Sequence, residues 1–289
     1  PFLSDQTHSG ISRDISSNPN NANGLPTFEN LVLWLSFDDP YYIGKDGSRN
    51  NRNAYSNYVD HYLDDERGSV ANFYDPSSIL TLQDFIPLGI EANWTVMTWY
   101  REFISEPSNL DRTLLMSYQS DSTYNLIGAY RNTPPNNYNF FTSGRRSDSS
   151  IGTNFMSPIT NVKNYGSEWH HITIVGNRST TTFFLDGIQL GFAEANIHLD
   201  IYNIGNYRGQ QRRFAQFLDD FRVYDTDLSV SAIQDIYSKT KNPTIPWYQK
   251  DGIQYQYRFQ MDVETSLETN ANAPLSQKIN FTDQLANMR

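Results

Sequence analysis

An all-β fold, two antiparallel layers with one short helix and extended arms at both ends, is what this sequence predicts, and three observations predict it. Short apolar or alternating runs recur between turn residues from Leu31 to Tyr224. Aromatic residues make up 14% of the 289 positions, with 19 Tyr and 17 Phe, and such side chains suit a pleated, half-buried surface. A clear helical period shows once, after Leu228.

The elements follow in order. Residues 1–30 are rich in Ser, Asn, Asp, Gly and Pro without an apolar period, the composition of an extended arm. Regularity begins with LVLWLSF at 31–37, a first strand that stops at Asp38-Asp39-Pro40, where proline ends ladder pairing. Residues 41–67 read as a polar insert forming a long surface loop, after which 68–73 and 79–82 resume short strands. WTVMTWY at 94–100 is apolar on both faces and reads as a central strand of a two-layer packing.

Strands over 112–118, 124–130 and 138–142 are predicted next, at turn-punctuated intervals. Then comes the most informative stretch, WHHITIV at 169–175, a reversal through Gly176-Asn177-Arg178-Ser179, and TFFLDG at 182–187. Alternation sends Ile172, Ile174, Phe183 and Leu185 to one side. A strand at 217–224 precedes a helix, with Ser229 as N-cap, Ile233, Ile236 and Tyr237 on one face, and Leu228 placed to staple onto Ile233. The predicted domain therefore spans 31–238. Residues 239–289 form a C-terminal arm in which Ile253, Tyr255, Tyr257, Phe259, Met261 and Val263 alternate strictly with polar residues. That amphipathic strand, 253–263, folds back, pairs with a neighbouring subunit's edge or opens a further domain.

Charge and composition exclude several classes of function. A net charge of −10 opposes nucleic-acid binding, which draws on clustered Lys and Arg. No run of about 18 apolar residues spans a bilayer, and residues 1–30 lack the order of a secretory signal. Cysteine is absent, which removes disulfides and thiolate chemistry. Sequons stand at Asn93, Asn177 and Asn280, and Asn177 at a hairpin tip is the credible glycan acceptor. Pro1 suits both a chain that lost its initiator Met and a fragment of a longer precursor.

Four separated segments resemble, in order, the laminin-G-like, concanavalin A-like jelly rolls, over roughly 31–237. LWLSFD at 33–38 and the Asp/Ser/Gly/Asn loop at 46–54 resemble the opening of that fold, and NWTVMTWY at 93–100 resembles its central aromatic strand. EWHHITI at 168–174 with FLDG at 184–187 is similar to its hairpin, and LDDFRVY at 218–224 with the following helix to its close. Arg49 and Arg52 depart from the pattern where small residues are usual, and the arms have no family counterpart. The resemblance implies a two-sheet antiparallel jelly-roll sandwich that binds glycan, protein or calcium, or serves as a passive module in a larger assembly.

The resemblance also implies that the first- and last-strand regions meet at a structural calcium ion. Its ligands would come from Asp38, Asp39 and Asp46 and from Asp219 or Asp220, chiefly Asp38, Asp46 and Asp220. Strand alternation sends adjacent Asp219 and Asp220 to opposite faces, so at most one of them ligates. His170 and His171 likewise face opposite sides, which suits sheet packing and not zinc.

A catalytic pair of carboxylates across a groove has no sequence signature here. The Glu-x-Asp-x-x-Glu strand of related glucanases is missing, as are nucleophile-elbow and phosphate-loop motifs. Sugar recognition by ring stacking would use loop tyrosines, with Tyr41, Tyr42, Tyr130 and Tyr138 the leading candidates beside Tyr55 and Tyr58. Subunit contact explains the same residues equally well. The sequence thus points to a non-catalytic structural or adhesive subunit at an extracellular, cell or virion surface whose arms dock on neighbours, with a lectin-like glycan- or protein-binding module as the alternative.

Overall fold

The computed structural model describes residues 30–88, 92–101, 112–117, 126–132, 137–145, 151–155, 162–163, 168–194, 196 and 200–243. The N-terminal arm before Asn30 and the amphipathic segment 253–263 lie outside the described residues. All described residues belong to the unit Pro1–Thr244.

Two eight-stranded antiparallel sheets and one helix make up the described body. In chain order the strands are β1 (Leu31–Leu35), β2 (Ala54–Asn57), β3 (Asp60–Asp64), β4 (Gly68–Asn72), β5 (Ile79–Ile86), β6 (Trp94–Arg101), β7 (Arg112–Ser117) and β8 (Leu126–Asn132). They continue with β9 (Asn137–Arg145), β10 (Ile151–Phe155), β11 (Val162–Lys163), β12 (His170–Asn177), β13 (Thr180–Leu185), β14 (Ile188–Ala193), β15 (Ile201–Ile204) and β16 (Phe217–Tyr224), and α1 (Val230–Thr240) follows. The first sheet runs β14-β13-β12-β6-β16-β4-β3, with β1 also on β16; the second runs β10-β9-β8-β7-β15-β5-β2, with β11 on β9.

Alternation builds the interior. Trp94, Val96 and Tyr100 of β6, Ile172 and Ile174 of β12 and Phe183 of β13 point inward from the first sheet. Leu80, Leu82, Leu114, Ile127 and Phe140 meet them from the second. The Phe140 and Phe183 rings stack across the layers at 5.6 Å, so the two sheets close on one core. Each such fully buried side chain stabilises the fold by about 1.5–3 kcal/mol. Trp94 sits on Gly176 of the neighbouring strand, where a Cβ would come within 2.1 Å of the indole, so glycine is required there by packing.

The central hairpin forms as its sequence predicts, Ile172 opposite Leu185 and Ile174 opposite Phe183. Asp186 and Gly187, both at positive φ (51° and 75°), make the tight turn into β14 that the Asp-Gly pair encodes. In α1 the Ser229 hydroxyl accepts a hydrogen bond from the Ala232 N–H, and Leu228 and Ile233 share one apolar cluster. The helix lays Ala232, Ile233 and Ile236 over the outer face of the first sheet, against Leu31, Met97, Val175, Phe184 and Tyr224.

Two expectations change. Residues 41–67 are not all loop, because β2 and β3 form inside them; β2 edges the second sheet, and two residues later β3 edges the first. Their polar side chains lie on exposed edges, which hid the strand pattern. Asp219 and Asp220, expected on opposite faces, share the outer one. Asp219 pairs with Trp99 and Arg222 with Met97, so Asp220 and Phe221 stand together where β6 has Thr98 alone. Asp220 takes φ 52°, and this bulge resets the alternation.

Candidate functional site

The bulge furnishes a buried charged layer between the first sheet and α1. Asp219, fully buried, pairs with Arg67 Nε at 2.6 Å. The Arg67 guanidinium also donates to the Thr240 carbonyl at 3.1 Å and lies 4.1 Å above the Trp99 ring, whose Nε1 donates to Thr240 Oγ1. The turn between β3 and β4 is thereby tied to the last turn of α1. Asp64 accepts from the Trp169 indole at 3.1 Å and pairs with Arg101 at 2.6 Å, while Arg101 lies over the Trp169 and Phe217 rings.

Asp220 accepts from Trp34 Nε1 at 2.7 Å and from Arg222 Nε at 2.9 Å. His171 packs against Trp99 and Tyr237 in this layer. Burial holds its pKa down at about 3, against the pull of Asp220, so it stays neutral. His170, on the opposite side of the strand as alternation requires, bonds Asp186 instead.

Asp46 organises the loop that follows β1. Its Oδ1 accepts from the Trp34 and Ser48 N–H groups, and its Oδ2 from the Ser48 hydroxyl and the Arg52 N–H. The Asp46 N–H in turn donates to Asn53 Oδ1 at 2.9 Å. Asp39 caps the next turn by accepting from the Tyr41 and Tyr42 N–H groups and pairs with Lys45.

Asp46 and Asp220 are thus brought to the backbone and the indole of one residue, Trp34. They meet there as acceptors of N–H donors, and Asp38 is not gathered with them. Among the described residues no group of three or more His, Cys, Asp or Glu is placed to hold a metal ion.

The tyrosines behave differently. Tyr41 (81%), Tyr55 (62%), Tyr58 (55%), Tyr74 (48%) and Tyr62 (43%) are the exposed tyrosines among those whose side chains are described, and all fall between 41 and 74. Tyr55 is on edge strand β2, Tyr62 on edge strand β3, and Tyr58 in the link between them, so three of the five follow one side wall of the sandwich. Tyr42 is half-buried, and its hydroxyl accepts from Gln83 at 3.1 Å. Tyr130 and Tyr138 occupy β8 and β9, but their side chains lie outside the described residues. Asn177 is exposed at the end of β12, where the hairpin reverses through Arg178 and Ser179.

Sequence reasoning missed Arg67, Arg101 and Asp64 as members of the buried layer, and Tyr62 and Tyr74 as exposed rings. Strand alternation around 60–64 was the signal available, but its polar residues masked it.

A sheet pair closed over an aromatic core, roofed on one side by a helix and a buried ion-pair layer, defines a jelly-roll sandwich. The family model for the concanavalin A-like lectin/glucanases superfamily matches residues 77–234, more than half of the chain, and the chain belongs to that superfamily. The fold is similar to that of the binding domain of Paraclostridial Mosquitocidal Protein 1 (TM-score 0.54, 17% identity, 73% of this chain and 52% of that one). It is also similar to Domain 4 of AbnA, a GH43 extracellular arabinanase from Geobacillus stearothermophilus, solved in complex with arabinotriose (TM-score 0.50, 14% identity, 72% of this chain and 98% of that one). The chain spans about half the length of the mosquitocidal-protein domain. No curated protein sequence matches it. No helix among the described residues is long and apolar enough to cross a membrane.

Proposed function

We propose that this chain is a non-catalytic binding module that meets a glycan or protein partner through its tyrosine-bearing side, in an extracellular, cell-surface or virion-surface setting. The observation that carries this reading is the placement between 41 and 74 of every exposed tyrosine whose side chain is described, three of the five along two sheet edges. Rings presented this way stack on sugar faces or anchor protein interfaces. The similar folds of the binding domain of a mosquitocidal protein and of an arabinanase domain solved in complex with arabinotriose support a binding role over a catalytic one. Pairing of Asp64 and Asp219 with guanidinium groups leaves neither poised as a general acid or nucleophile, which supports it further.

A glycan array tests the reading. Wild-type protein should give signals that Tyr41→Ala with Tyr55→Ala removes; signals untouched by those changes would place recognition elsewhere. A structural calcium ion is not needed for this reading, since N–H, O–H and guanidinium donors already engage Asp46 and Asp220. Equal melting temperatures in calcium and in chelator are expected.

A second reading, assembly with neighbouring subunits, is favoured by the strict alternation of 253–263. Removing residues 245–289 should abolish self-association on this reading, and unchanged association would end it.

A further inference from the structure

The strand β3 ends the first sheet, so one side of it has no strand partner among the described residues. On its paired side the register runs Asp60 to Asn72 through Asp64 to Gly68. Tyr58, two residues before β3, and Tyr74, two residues after β4, are both exposed. Asp60 and Tyr62 alternate onto the outer face, where the Tyr62 ring meets Phe217 at 4.9 Å. Asp60, Asp65 and Glu66 are exposed, so this edge is acidic as well as aromatic. An open edge of this kind is where an extended segment adds as a further strand.

The chain itself contains a segment of matching chemistry. Residues 253–263 form eleven positions of strict alternation, against five in β3, and Arg258 at their centre is the only Lys or Arg between Lys250 and Lys278. The nine residues 244–252 that lead to it reach about 30 Å when extended.

We infer that the open edge of β3 takes the 253–263 segment of a second copy as an added strand, with Arg258 beside Asp60 and Tyr62. An added strand turns alternate residues to opposite faces. Arg258 on the outer face therefore places Tyr257 and Phe259 on the side of Leu63, toward the second sheet. The single cation fixes the register against an acidic edge, between two chains that each carry a net charge of −10. The inference rests on the assembly reading and names the surface that reading requires.

The test uses the full chain, with self-association followed by sedimentation velocity over a concentration series. Asp60→Arg and Arg258→Asp should each weaken association about tenfold, and the double charge swap should recover most of the loss. Because Asp60 is exposed, both variants should melt with the wild type, which separates lost docking from lost folding. If the wild type associates through residues 245–289 but the swap does no better than the single changes, the edge assignment falls and the assembly reading stands. If the wild type is a monomer at all concentrations, both fall. Coupling between the two positions seen only in the stability of a monomer would replace the second copy by the chain's own strand and overturn the inference.

Discussion

The helix-roofed face of the first sheet and the tyrosine-bearing edges of the sandwich use similar residues to opposite ends. On the outer face of the first sheet, the aromatic Trp34, Trp99 and Trp169 and the acidic Asp64, Asp219 and Asp220 are engaged by guanidinium, indole and hydroxyl contacts. Along β2 and β3, Tyr55, Tyr58, Tyr62 and Asp60 face solvent. Burial therefore separates a layer that holds the fold from one that can meet a partner, and composition alone does not.

The comparison breaks most visibly at Arg67. Arg67→Met leaves Asp219 buried without its guanidinium and should cost about 3–5 kcal/mol in denaturant unfolding. A loss below about 1 kcal/mol would mean that this layer does not hold the fold. Asp46→Ala strands the Trp34, Ser48 and Arg52 N–H groups and should cost about 1–3 kcal/mol by the same measurement. Its effect should stay short of the Arg67 change, since the loop is nearer to water.

A pH series sharpens the contrast. His171 has its folded pKa held at about 3 by burial, against an ordinary 6.5, so between those values the unfolded chain binds the extra proton. The stability His171 contributes is full above pH 6.5 and is lost progressively as pH falls toward 3. The slope approaches about 1.4 kcal/mol per pH unit. Wild type minus His171→Gln should show that slope between pH 6 and 4; parallel curves would show that this histidine is not held neutral. The smallest effect is expected at the most exposed rings, where Tyr41→Ala and Tyr55→Ala should change stability by under about 0.5 kcal/mol each. A larger cost would make them packing residues and weaken the binding reading.

Sequence made the interior legible because alternation writes burial directly into residues such as Ile172, Ile174 and Phe183. The Ser229 cap was legible for the same reason, being a local rule with a local residue. Strands β2 and β3 were not, since an edge strand keeps polar residues on both sides and reads as loop. The charged layer was harder still. Arg67 and Asp219 are 152 positions apart, and only the folded sheet brings them to 2.6 Å. At the candidate binding side, Tyr41, Tyr55 and Tyr58 were found by type and loop context, whereas Tyr62 and Tyr74 required the strand edge that had been missed.

The extra residue at Asp220 acts as a phase slip in the last strand. Upstream of it Leu218 looks into the hydrocarbon interior, and downstream Phe221 and Val223 do the same. A one-residue deletion there would preserve the ladder yet invert one of the two halves, driving Asp219 inward and Leu218 out. Length at this point is therefore constrained as tightly as identity, and a family member shortened by one residue would need its arginine partners rewritten together with the gap.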